Sequence, residues 1–131
     1  MKKTTYGFTK TIDMDFKQSV KKVKEELKKE GFGILTEIDV QATLKKKLDV
    51  DFKPYRIPGT CNPPFAYKVL QTEEQIGLML PCNVIVYVND SDETVIVAID
   101  PQSSMQAVDN PDLQGISEQV QSKLRSVIEL C

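Results

Sequence analysis

Hydrophobic positions along the 131-residue chain switch between a period of two and a period near 3.6, and the switches mark out the elements. The run TTYGFTKTI, residues 4–12, alternates β-branched and aromatic residues with polar ones and predicts a first strand. In DMDFKQSVKKVKEELKKEG, Phe16, Val20, Val23 and Leu27 share one helical face, Asp13 or Asp15 can cap the start, and Gly31 can close the end. FGILTEIDV returns as a strand. DVQATLKKKLDV predicts a short helix capped by Asp39, with Val40, Leu44 and Leu48 as its buried stripe; Lys45 to Lys47 sit where the helix dipole favours positive charge.

The next strand, FKPYRIPGTC, is interrupted by Pro54 and Pro58, which implies an edge or a bulge because proline cannot donate to a ladder. NPPFAYKVLQTEEQ then predicts a helix with Asn62 as cap and Phe65, Val69 and Leu70 inward. Since Pro64 has no N–H, Phe65 is the expected donor to the Asn62 side chain. CNVIVYVNDSDETVIVAIDP is a hairpin turning at Asn89 to Glu93, and its nearly continuous apolar character implies that both faces of these strands are mostly covered. NPDLQGISEQVQSKLRSVIEL predicts the last helix, with Leu113, Ile116, Val120, Leu124 and Val127 on one face. The polar connection PQSSMQAVDN before it is the expected mobile segment. The order β-α-β-α-β-α-β-β-α, without repeat or long linker, predicts one α+β domain over residues 1–131: a two-layer sandwich, one mixed or antiparallel sheet with helices packed on it.

Composition narrows the chemistry more than the fold. Seventeen basic and nineteen acidic residues leave a net charge of −2, so no positive field draws nucleic acid or an anionic membrane, and neither is expected as a partner. No signal-peptide core or long apolar run appears, and the three cysteines include no Cys-x-x-Cys pair; a cytoplasmic protein without a disulfide framework is expected. Histidine is absent, which excludes Ser-His and Cys-His catalysis within one subunit and leaves thiol, carboxylate, amide, phenol, lysine and arginine.

Candidate chemistry concentrates where Cys-Asn occurs twice, at Cys61-Asn62 and Cys82-Asn83. Cys61 precedes a helix start, where a thiol pKa tends to fall, yet cysteine is equally a small apolar core residue. Strand alternation puts Cys82 on one face and Asn83 at the head of an apolar one; a buried amide without partners costs about 1–3 kcal/mol, so Asn83 is expected to bond the turn carrying Cys61 and Asn62. Were Cys61 and Cys82 to meet, a disulfide or a redox pair is conceivable, whereas a metal site would need carboxylates or a second subunit, and none is assigned. Glu37 and Asp39 share a strand face in TEID; Asp39 explains itself as a cap, and Glu37 gains interest only if it points inward toward Tyr55 or Arg56.

The combination TEIDV, YRI, CNPPFA, GLMLPCNVIVY and DP resembles domain of unknown function 302, a group of bacterial and archaeal proteins, over nearly the whole chain. The resemblance implies a compact two-layer α+β domain, often dimeric, with no assigned activity. It marks Glu37, Asp39, Tyr55, Cys61, Asn62, Pro63, Gly77, Pro81, Cys82, Asn83, Asp100 and Pro101. Where the family commonly has Leu-Gly-Ala before Cys-Asn-Pro, this chain has Pro58-Gly59-Thr60, which removes an N–H there. The expected function is a non-enzymatic, homodimeric domain binding a small molecule or partner near the two Cys-Asn turns, with no cofactor identified. The alternative is a thiol-dependent redox or nucleophilic enzyme using Cys61 with Cys82. Candidate site residues are Cys61, Asn62, Cys82, Asn83, Glu37, Asp39 and Tyr55.

Overall fold

A computed structural model describes residues 1–131. Its centre is one antiparallel sheet of six strands: β1 (Lys2–Lys3), β2 (Gly7–Ile12), β3 (Gly33–Asp39), β4 (Tyr55–Cys61), β5 (Cys82–Val88) and β6 (Thr94–Ile99), ordered β1-β2-β6-β5-β4-β3. The long helices α1 (Phe16–Lys29) and α5 (Gln114–Leu130) lie on one side of it. Val20, Val23 and Leu27 of α1 and Val120, Leu124, Val127 and Ile128 of α5 pack against Phe8, Val84, Val86, Ile96 and Ala98 of the sheet. The periodic faces expected of these two helices are therefore the core, and the α+β sandwich stands as expected. Asp15 caps α1 by accepting from Gln18 N–H, and Gly31 follows its end at φ +87°, a conformation that suits glycine.

Three local expectations change. β4 is a central strand rather than an edge, between β5 and β3; Pro58 pairs in register with Glu37, and the bulge of the β3–β4 ladder lies between Ile34 and Thr36, opposite Thr60 and Gly59. β3 is the edge, and Gly33 to Ile38 are all exposed. Helix α2 (Val40–Leu48) buries none of its residues; Leu48 is 65% exposed, because α2 lies beside β3 and β4 at the sheet's rim rather than over the core. Leu70 of α3 (Pro63–Thr72) is likewise exposed while Val69 is buried.

The segment expected to be mobile is ordered instead. Pro101–Met105 forms helix α4, started by Asp100, whose carboxylate accepts from Gln102 N–H. Met105 and Val108 then pack on a small second cluster of Val69, Ile76 and Leu113, joined by the 3-10 turn Glu74–Met79. The sheet's second face carries no long helix. Ile85, Tyr87 and Val97 are half-buried there and Val95 is buried between its neighbours, so this face of the hairpin is covered in part and has no helix over it, short of the two mostly covered faces expected.

Candidate functional site

The two cysteines meet at one end of the helical layer. β4 ends at Cys61 as β5 begins at Cys82, and Thr60 lies directly opposite Cys82 in the register, its Oγ1 donating to the Cys82 carbonyl at 3.0 Å. Above them is a cavity of about 300 Å³. Thr60, Cys61, Pro81 and Cys82 form its floor; Phe65, Ala66 and Val69 of α3 and Ile116, Ser117 and Val120 of α5 form facing walls, and Pro101 and Met105 of α4 close one end. None of the 18 lining residues is charged.

The polar groups bordering the cavity are mostly engaged elsewhere. Ser117 Oγ donates to the Gln114 carbonyl at 3.0 Å, as a helical side chain commonly does. Asn62 does not cap α3: its side chain accepts no N–H from the first turn. Instead Nδ2 donates to the Glu30 carbonyl at 3.2 Å, fastening the start of α3 to the end of α1. The glycine at position 31 makes this approach feasible, since a Cβ there would stand 3.2 Å from Asn62 Nδ2. Two consecutive prolines leave little for a cap to satisfy, which frees the amide for a tertiary bond.

Cys82 is in the cavity floor, and burial, with Cys61 adjacent, pushes its thiol up to about 11. It therefore holds its proton at neutral pH and is a poor nucleophile or ligand. Cys61 lines the same cavity without any basic side chain among the lining residues. No three metal-ligating side chains come together.

The remaining candidates lie elsewhere. Asn83 projects to the open face, exposed beside Gly59 rather than bonded to the Cys61-Asn62 turn, so water satisfies the amide that sequence alone places among apolar neighbours. Tyr55 is on that same face, stacked on Tyr87 with ring centroids 5.3 Å apart, and burial raises its phenol above its ordinary value. Glu37 and Asp39 do share the helix-side face of β3. Glu37 accepts from Lys24 at 2.6 Å and Arg56 at 3.1 Å, and chiefly the Lys24 hydrogen bond holds its carboxyl below the usual range. Asp39 caps α2 through Ala42 N–H at 2.9 Å and meets Arg56 at 3.4 Å. Both carboxylates are paired with basic side chains, which suits a strut between α1 and β3 better than proton transfer.

The sequence-based candidate site leaves out the α4 and α5 side of the cavity, including Met105 and Ile116, and marks Asp100 only through the family resemblance. Asp100 is 2% exposed and accepts from Lys3 Nζ, Gln102 N–H and Gln121 Nε2, each at 3.0 Å. It thus joins the amino-terminal strand to α4 and α5 and sets the cavity's far end.

Comparison with known proteins agrees with this architecture. A family model, domain of unknown function DUF302, matches residues 8–131. The chain belongs to the DUF302 family. The crystal structure of an uncharacterized conserved DUF302 protein from Bacillus stearothermophilus is similar over 95% of this chain and 97% of that one, at 28% identity and a TM-score of 0.89. No curated protein matches. The DUF302 membership carries fold and relatives, and the chemistry rests on the cavity itself. No helix is long and apolar enough to cross a membrane.

Proposed function

We propose that this DUF302 protein is a single-domain, non-enzymatic, cytoplasmic homodimer that binds a small, uncharged, largely apolar molecule in the cavity over the two Cys-Asn turns. One observation carries the reading: a cavity of about 300 Å³ bordered by Cys61, Asn62 and Cys82, with no charged lining residue. Its volume lies at the lower end of ordinary ligand pockets, and equals about ten water molecules of liquid. An apolar wall favours displacement of that water by carbon, while a carboxylate or phosphate would lose hydration without finding a partner. Asn62 Oδ1, which accepts no hydrogen bond within the protein, is available to orient a ligand N–H or O–H. A lining without any acidic or basic side chain and a Cys82 thiol at about 11 give no support to the thiol-enzyme reading.

The experiment is a thermal-shift screen of uncharged aromatic and aliphatic compounds against matched carboxylates. A ligand at a hundred times its Kd stabilises the folded protein by about 2.7 kcal/mol. Stabilisation by the uncharged members alone is the expected result. Shifts confined to the carboxylates, or none from either set, would overturn the reading.

A further inference from the structure

The sheet's open face is chemically unlike the rest of the surface. Registers place Thr9, Tyr55, Ile57, Ile85, Tyr87 and Val97 on it, all half-buried, in neighbouring positions across β2, β6, β5 and β4, with Val95 buried among them. The charged residues of these strands turn the other way. Lys10 donates to the Glu129 carbonyl of α5, and Glu37, Asp39 and Arg56 pair with one another and with Lys24 of α1. Lys2, on the short outer strand opposite Thr9, is the one charged strand residue whose register falls on the open face. A chain that is 27% charged has thus kept a whole sheet face nearly free of charge.

We infer that a second copy of this chain packs its open sheet face against this one, giving a twofold dimer with both sheets inside and the α1 and α5 layers outside. This names the contact surface of the homodimer proposed above, and rests on that reading. Under a twofold axis each patch meets itself, so any charge cluster would face its like; a face of Val, Ile, Tyr and Thr is self-complementary by default. The stacked Tyr55–Tyr87 pair supplies the aromatic content that interface centres favour. Size agrees as well. Five strands about 4.8 Å apart and roughly 20 Å long give a footprint of roughly 500 Å². Side-chain relief raises the accessible surface toward the about 800 Å² per partner of a standard interface. Two sheets stacked about 10 Å apart would close the layer that no helix covers.

Sedimentation velocity over a concentration series tests this with the intact chain. Thr9→Lys and Val97→Lys each place a charge on the open face; Gln119→Lys places one on the exposed side of α5 as a control. Thr9 is already polar and half-exposed, so Thr9→Lys keeps the test valid if Val97→Lys unfolds, and circular dichroism reports folding. The expected result is a wild-type dimer, an unchanged Gln119→Lys dimer, and dissociation constants at least a hundred-fold weaker for the two face variants. A dimer that persists in folded Thr9→Lys and Val97→Lys overturns this interface while leaving the homodimer standing, with the exposed β3 edge as the remaining surface. A wild-type protein that stays monomeric at the highest concentration overturns both.

Discussion

Replacing Asp100 by Asn tests whether the carboxylate at the start of α4 fixes the far end of the cavity. Asp100 accepts three hydrogen bonds at 3.0 Å and a fourth from Ser103 at 3.3 Å while almost fully buried. The amide of Asp100→Asn keeps the shape but turns one acceptor into a donor, so one N–H now faces another donor. A hydrogen bond to a charged group is worth about 1.5–3 kcal/mol, whereas the half-exposed Lys3 adds under about 1 kcal/mol. The loss should be about 2–3 kcal/mol, or roughly 10 °C in Tm for a chain of this size. The pH dependence has a definite sign. Burial alone would raise the carboxyl, but Lys3, the Gln102 N–H and Gln121 outweigh it and hold the group below its usual value. Its stabilisation is thus fully present above the unfolded value of about 3.9 and disappears as pH falls through the lower folded value. Urea unfolding of both proteins from pH 7 to pH 3 measures this. The gap between them should be flat near neutrality and shrink at the acid end. A gap under about 0.5 kcal/mol at pH 7, or one that is undiminished below the folded value, would refute the reasoning.

Other perturbations reach the same architecture from different sides. A Cβ at Gly59 would overlap Thr36 Oγ1 and stand 2.8 Å from the Pro81 ring, so Gly59→Ala should cost about 1–3 kcal/mol by chemical denaturation, and less in a Thr36→Ala background. Leu124, wholly buried where α5 meets the sheet, should lose about 3 kcal/mol on truncation to Ala in the same assay. Burial puts the Cys82 and Cys131 thiols at about 11, so mass-spectrometric alkylation of the native protein at pH 8 should leave both unmodified until denaturant is added; rapid labelling of folded protein would contradict that assignment.

Local pattern was a good guide wherever one face of an element met the core and the other met water. The stripes of α1 and α5 and the two runs of the hairpin belong to that class, as do Asp15 and Asp39 as caps. It failed where the deciding contact lay far along the chain. Asn62 looks like a cap because caps are local, yet its partner is the Glu30 carbonyl, 32 residues away. Pro54 and Pro58 argued for an edge or a bulge, but strand order is decided by long-range pairing, which makes β4 central, and the bulge of its ladder with β3 falls at Ile34 to Thr36 rather than opposite Pro58. VIVYV and TVIVAI read as doubly covered because composition cannot distinguish a face beneath helices from one left open. The cavity was half visible: its floor carries the repeated Cys-Asn, while its α4 wall came from a segment whose polar composition suggested only a loop.

The most direct test of the account is a fluorescence titration of wild-type protein and Ala66→Phe with the uncharged probe N-phenylnaphthylamine. Ala66 lines the cavity from α3, and a phenyl ring there occupies the space the ligand would take. Saturable binding of one probe per wild-type chain, abolished in a folded Ala66→Phe, is the predicted result. Equal binding by the two proteins, or none by wild type, would contradict a ligand site over the Cys-Asn turns.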